Sequence, residues 1–307
     1  MARMTFVIAA GVALGTSVVI TRLGVAEVGP LPLVALRLTV ACLAFAALWL
    51  IRRIRLPRGR RTWIDIAVVG LTQVVPLLLF TTALQFISSG VLTVFISLVP
   101  LLTYLFAARL LRQERLGTLG LLGLAVGFGG VLLLLATGTT GLASGGSDLR
   151  GHFLALGGAV LAAFSTVYAR RRLREIEAVV VTGGQLLAAW AIAAPLSLAF
   201  GEFHLAQFSW RGWLAIGYGG LVGSFFAFLL MFEMVRRYGA TPSVLPAYVM
   251  PLVSSLFGAL LLGEVITPEL VVSGAILLCG VFLAGMSQAA GLKSQPSSHV
   301  RRPSEAA

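Results

Sequence analysis

The chain is short of charge. Only 11% of its 307 residues are Asp, Glu, Lys or Arg, where an ordinary globular domain has about a quarter. So few charges cannot cover a water-soluble body of 32.3 kDa. With 58% hydrophobic residues and a mean hydropathy of +0.99, the solvent of this chain is lipid. Acidic residues are scarcer still, 11 against 23 basic ones, for a net charge of +12. In a soluble chain that excess would suggest nucleic acid as a partner. Here the basic residues are arginines except Lys293, they sit between apolar runs, and they form no basic face interleaved with aromatics, so nucleic acid is excluded. Cysteine is nearly absent. Cys42 and Cys279 lie in apolar runs and read as small buried hydrophobes, which leaves no disulfide framework and no cysteine metal site. Histidine is equally thin: His152, His204 and His299 fall in expected outer loops or the tail. No His-Glu-x-x-His run, Gly-rich phosphate loop or triad motif occurs. No catalytic residue, metal or cofactor is therefore expected.

What the sequence has is apolar length. Ten apolar stretches can be marked at 4–20, 33–51, 64–84, 91–111, 116–136, 153–168, 179–200, 214–234, 244–262 and 270–286. Most reach the 17 to 25 residues that cross a bilayer as a helix. Residues 1–20 also have the outline of a secretory signal peptide, but Val18-Val19-Ile20 offers no small-residue cleavage pattern and nine spans follow. This segment is expected to stay as the first helix. The arginines and the lysine set the orientation. With the N-terminus inside, 19 of the 23 fall in cytoplasmic segments. Three (Arg22, Arg150, Arg211) fall outside and Arg37 lies within the second span. The bias alternates at every loop and places both termini in the cytoplasm of a cell that holds the protein in its plasma or inner membrane.

The organisation predicted is an all-α integral membrane protein of ten transmembrane helices in two five-helix halves. The halves are 1–137 and 151–290, joined by a Gly/Ser-rich linker at 138–150 that reads as flexible and followed by a disordered cytoplasmic tail at 291–307. Comparing the halves brings out a repeat. Pro100 in the fourth span aligns with Pro251 in the ninth, and Leu111, Gly130 and Val131 align downstream with Leu261, Gly280 and Val281. Five spans per half is an odd number, so the second half enters from the opposite face, an inverted repeat of the kind that builds alternating-access carriers.

These residues resemble the EamA-type branch of the drug/metabolite transporter superfamily. Pro251, then Leu262-Gly263-Glu264 and a Gly-rich helix from Gly274 to Gly280, match that family's pattern in the second half. Arg22, the stretch from Pro32 to Arg37 and the run from Ala83-Leu84 to Gly90 match in the first. Leu111-Arg112-Gln113-Glu114 places its glutamate one residue late, and Leu14-Gly15-Thr16 stands where the family often has Trp-Gly. The resemblance covers nearly the whole chain. It implies a ten-helix secondary transporter of a small organic metabolite or drug-like solute.

Candidate pathway residues come from the prolines. Each removes a helical donor and frees the carbonyl four residues earlier, at Ile96 and Ala247. Such a carbonyl must meet protein or a wet cavity, so the prolines either bend helices for packing or hinge a cavity wall. Under the repeat, Ser97 pairs with Tyr248 and Tyr104 with Ser255. Ser97, Pro100 and Tyr104 share one helix face, as do Tyr248, Pro251 and Ser255. Gln73 in the third span and Ser165 in the sixth are further candidates. The alternative is that these hydroxyls only bond their own helices and fill space.

Two charges are candidate functional groups. Arg37 lies inside a span, where it either serves function or snorkels to the near outer surface, and Glu233 lies one turn inside the cytoplasmic end of the eighth span, near Arg236 and Arg237. Asp65 and Arg61 are spaced for an interface ion pair, and Glu114 and Glu264 at helix ends could act as gates or caps. Gly123 with Gly127, and Gly219 with Gly223, allow close helix packing within the chain or in a homodimer. The expected function is efflux of a small-molecule substrate across the lipid bilayer by alternating access. The rivals are a membrane-embedded enzyme or lipid-modifying protein and a channel.

Overall fold

The computed structural model describes residues 2–54, 56–110, 117–145, 147–173, 175–201, 208–230 and 246–293. Glu114, Glu233, Arg236, Arg237, His204 and His299 lie outside them. Apolar length dictates helices, and the helices are α1 (Ala2–Val28), α2 (Pro30–Arg52), α3 (Arg60–Ala83), α4 (Ser89–Ile96), α5 (Val99–Leu110), α6 (Thr118–Thr137), α7 (Leu149–Arg172), α8 (Ala178–Phe200), α9 (Trp210–Gly220), α10 (Pro246–Leu262) and α11 (Pro268–Lys293). Among the described residues, nine stretches are long and apolar enough to span a membrane. One of them is α4 and α5 taken together, Ser89–Arg109, and the 17-residue α10 is a shorter apolar helix. Among the described residues there is no strand, only an isolated bridge between Thr139 and Ser147. Large apolar side chains such as Leu50, Ile51, Leu198 and Phe200 stand on the outer surface at close to 80% exposure, an arrangement that suits hydrocarbon and not water.

The fourth span is not one helix. It breaks at Ser97 and Leu98, and Pro100 becomes the second residue of α5. The single apolar stretch marked at 91–111 is thus two helices, with the break just before Pro100. A proline is best placed in a first helical turn, where its missing N–H costs nothing. Pro251, by contrast, lies within an intact α10.

The two halves interleave. α6 packs on α11, α3 on α7 and α8, α1 on α10 and α9, and α2 on α8 and α9. At the α6–α11 contact the backbones touch: a Cβ on Gly280 would lie 2.3 Å from the Gly127 amide nitrogen, and one on Gly123 would lie 2.7 Å from the Gly280 carbonyl. The Gly123 and Gly127 pair therefore serves packing within the chain.

Four further readings are corrected. The segment expected to be a flexible linker is tied down: Ser88 N–H donates to the Thr140 carbonyl (2.8 Å) and Val265 N–H to the Gly141 carbonyl (2.9 Å). Its glycines make tight turns, with Gly138, Gly141 and Gly145 all at φ between 61° and 66°. Asp65 does not pair with Arg61. It accepts from the Tyr168 hydroxyl of α7 at 2.8 Å, because the two residues meet on the packed α3–α7 face while Arg61 is exposed. Cys279 is exposed on α11, and His152 is fully buried in the first turn of α7, edge-on to Phe95.

Candidate functional site

A line of hydroxyls on α4 faces α10. Ser89, Thr93 and Ser97 are spaced four apart, so they stack along one helix face, and all three are buried. Thr93 Oγ1 and Ser254 Oγ are 2.5 Å apart, and Ser97 Oγ donates to the Ala247 carbonyl at 2.8 Å. That acceptor is the carbonyl that Pro251 frees in α10. The α4 serine thus supplies across the interface the donor that the proline removed.

At one end of this line sits Glu264. Gly263, at φ 66°, ends α10 in the left-handed conformation, and Glu264 N–H donates back to the Gly258 carbonyl. This turn swings the carboxylate onto the first residue of α4, where it accepts from Ser89 N–H (2.9 Å) and the Ser89 hydroxyl (2.5 Å) at the positive end of the helix. Arg22 of α1 approaches to 3.9 Å and donates to the Leu84 carbonyl. Burial pushes the Glu264 carboxyl above the ordinary carboxylate range, against the opposing pull of the Ser89 donors and the Arg22 charge. Arg22, Leu84, Ser89 and Glu264 together clamp α1, α3, α4 and α10 at one end of the bundle. A Cβ at Gly258 would lie 2.1 Å from the Glu264 carboxylate, so the clamp needs a bare backbone there.

The remaining candidates disperse. Ser97 and Tyr248 share a level, since Ser97 bonds Ala247, the residue before Tyr248. Tyr104 is buried in α5, seven residues beyond Ser97, while Ser255 packs against Gly90 at the far end of α4. The helices run antiparallel, so Tyr104 and Ser255 are roughly 20 Å apart along them at 1.5 Å per residue, and the four hydroxyls do not gather at one point. Pro100 is half-buried and Pro251 buried. Ser165 is buried between α7 and α3, accepting from Thr72 at 3.0 Å, and Gln73 is a half-buried residue of α3. A groove of about 480 Å³ runs between α1 and α9, lined by Ile8, Val12, Ala13, Tyr218, Val222 and Phe226.

Arg37 does not snorkel outward. Its side chain runs inward along α9: Nε donates to Ser224 Oγ at 2.9 Å and Nη1 to Thr21 Oγ1 at 3.3 Å. Gly219 and Gly223 leave the space it occupies, and α9 continues there as a π-helical turn, Leu221–Phe226. Sequence reasoning missed Ser17, Thr21, Ser224, Ser89, Thr93 and Ser254. The four-residue spacing of Ser89, Thr93 and Ser97 was a readable signal; nothing in the sequence marks the π-turn.

Apolar spans, broken and proline-bearing helices that meet in mid-bundle, and polar groups turned inward define an integral membrane protein with the build of a transporter. The family model of EamA-like transporters matches residues 1–136 and 149–286, one match to each half, and the chain belongs to that family. It is similar to the Escherichia coli K12 protein named as an uncharacterized inner membrane transporter, YedA, with 28% identity over 255 residues covering 82% of this chain and 80% of the relative. It is also similar to the Bacillus subtilis transporter YoaV, with 21% identity over 270 residues covering 88% and 91%. A crystal structure at 23% identity superposes with a TM-score of 0.66 over 93% of this chain and 97% of that one, a likeness of fold. The chain is thus a multi-pass membrane transporter with a small-molecule substrate, and the family points away from an enzyme.

Proposed function

We propose that the protein is a secondary carrier of the inner or plasma membrane that moves a small organic solute outward by alternating access, with both termini cytoplasmic. The observation that carries this reading is the junction of α4, α5 and α10. A helix broken at Ser97 lies against a proline-bearing helix from the other half, and the carbonyl freed in one is bonded by a side chain of the other. Discontinuous helices that meet in mid-membrane between two repeats are the usual place of solute binding in such carriers.

The packing pattern supports two inverted repeats. Exchanging the first five spans for the last five turns the α1–α9 contact into the α7–α3 contact and the α1–α10 contact into that of α7 with α4 and α5. The same exchange maps the α2–α8 and α6–α11 contacts onto themselves. The clamp of Arg22, Ser89 and Glu264 then acts as an outer gate, and the positive-inside bias puts that end of the bundle outside. On this reading Ser97, Tyr248 and Pro251 flank the solute route at mid-depth, and Tyr104 and Ser255 stand nearer its two ends.

The test has two stages. A screen of metabolites accumulating outside overexpressing cells supplies the solute, and counterflow of that radiolabelled solute is then measured in proteoliposomes. Saturable counterflow is expected. Linear, non-saturating flux would point to a channel, and solute conversion in detergent to an enzyme.

A further inference from the structure

The Arg37 cluster is unexplained by the gate or by the α4–α10 seam. Its setting is short of negative charge: among the described residues no carboxylate lies within 4.0 Å of the guanidinium, and its bonded partners are the neutral hydroxyls of Ser224 and Thr21. Thr21 has spent its own proton on the Ser17 carbonyl, 2.7 Å away, and so can only accept. A guanidinium offers five N–H donors, and no bond from Nη2 is seen among the described residues. A second orphan lies beside it. Ser17 Oγ is buried, with 2% of the residue exposed, and has no hydrogen-bond partner among the described residues. Ser17 Oγ and Arg37 Nη2 approach the same point, where a Cβ on Gly223 would stand 1.8 Å from the first and 2.9 Å from the second.

Depth makes this costly. Ser17 is at the middle of the Thr5–Val28 span, and an uncompensated cation there is among the most unfavourable groups a membrane protein can hold. The fold nonetheless builds for it, with two glycines that clear space and a π-helical turn that carries Ser224 onto Nε. Unpartnered donors from two helices and a single positive charge match a group with two acceptor oxygens and one negative charge. A carboxylate fits, because the Nη1 and Nη2 edge can hold it bidentately. We propose that Arg37 and Ser17, with Thr21 and Ser224 holding the guanidinium in place, form a carboxylate-binding site at the middle of the membrane, and that the transported solute is an amphipathic organic monoanion. This rests on the carrier reading above for its functional meaning. The apolar groove between α1 and α9 includes Ala13, one turn before Ser17, and Tyr218, and it suits the uncharged remainder of such a molecule.

The test is thermal unfolding of the full-length protein in phosphatidylcholine nanodiscs at constant chloride, with matched pairs of probes: phenylacetate against phenylacetamide, indole-3-acetate against indole-3-acetamide, hexanoate against hexanamide. At least one carboxylate should raise the melting temperature in a saturable manner, and its amide should not. Ser17→Ala removes a hydroxyl with no partner among the described residues, so it should melt like wild type without ligand and weaken carboxylate affinity by about threefold to tenfold. Arg37→Gln should lose the response. Should Arg37→Gln fail to fold, Arg37→Lys, which keeps the charge and loses the fork, should still weaken it. Carboxylates no better than amides, or a Ser17→Ala response equal to wild type, would overturn the proposal. So would phosphatidylglycerol or added chloride reproducing the whole shift, since the site would then hold a lipid headgroup or an inorganic anion. A carboxylate response without counterflow would sink the carrier reading and leave the site; counterflow confined to neutral solutes would do the reverse.

Discussion

Removing the Ser97 hydroxyl tests how a proline is tolerated in the middle of α10. Pro251 has no N–H, so the Ala247 carbonyl loses its helical donor, and Ser97 Oγ replaces it at 2.8 Å from the opposite half. The same hydroxyl lies 2.9 Å from the Thr93 carbonyl, but that oxygen already accepts from Ser97 N–H. Ser97→Ala therefore leaves a half-buried carbonyl without its donor, which costs about 1 to 2 kcal/mol, the lower part of the range for a fully buried group. Pro251→Ala restores an N–H four residues after Ala247, and in that background the serine has little left to supply. Equilibrium unfolding in dodecyl maltoside micelles titrated with SDS, run on wild type, both single variants and the double variant, isolates the pair. A coupling of at least about 1 kcal/mol is expected, and additivity within about 0.3 kcal/mol would refute the cross-interface bond.

Topology is checked by cysteine labelling, since Ser144 and Gly59 are both exposed: Ser144→Cys should react from outside, Gly59→Cys only after permeabilisation, and labelling of both from one side would contradict the orientation. For Glu264, burial raises the folded carboxyl above its ordinary value of 4.5. Between the two values the folded state binds more protons than the unfolded one, so stability should fall as pH rises through that window. Glu264→Gln should flatten this slope in thermal melts, and an unchanged slope would show that the carboxylate is not the titrating group.

Much of the architecture was legible because it depends on hydropathy and backbone chemistry. Ten spans follow from apolar length, and the Gly263 turn and Glu264 come from the Leu-Gly-Glu run that carried the family resemblance. What was hidden depends on tertiary contact. The break after Ile96 requires knowing that α5 starts afresh at Val99, and Asp65 finds Tyr168 because α3 and α7 pack together, across 103 residues of sequence. Arg37 looked free to snorkel, since its distance along the chain to the outer end is short. Its inward course depends on Gly219, Gly223 and Ser224 of another helix, and on a π-turn that no local periodicity encodes. Of the proposed hydroxyl site, Ser97 and Tyr248 meet at one level, while Tyr104 and Ser255 do not, because repeat alignment relates positions by symmetry and says nothing of their separation.

The central claim is that the outer contact between the halves must open in every transport cycle. A Cβ on Gly90 would stand 3.4 Å from the Ser255 Cα and 2.6 Å from its Oγ, close enough for a disulfide. In a background with Cys42→Ala and Cys279→Ala, the Gly90→Cys, Ser255→Cys pair is oxidised in proteoliposomes and counterflow of the transported solute is recorded before and after reductant. Counterflow should vanish on complete cross-linking and return on reduction. Undiminished counterflow through the fully cross-linked protein would contradict alternating access between the two halves.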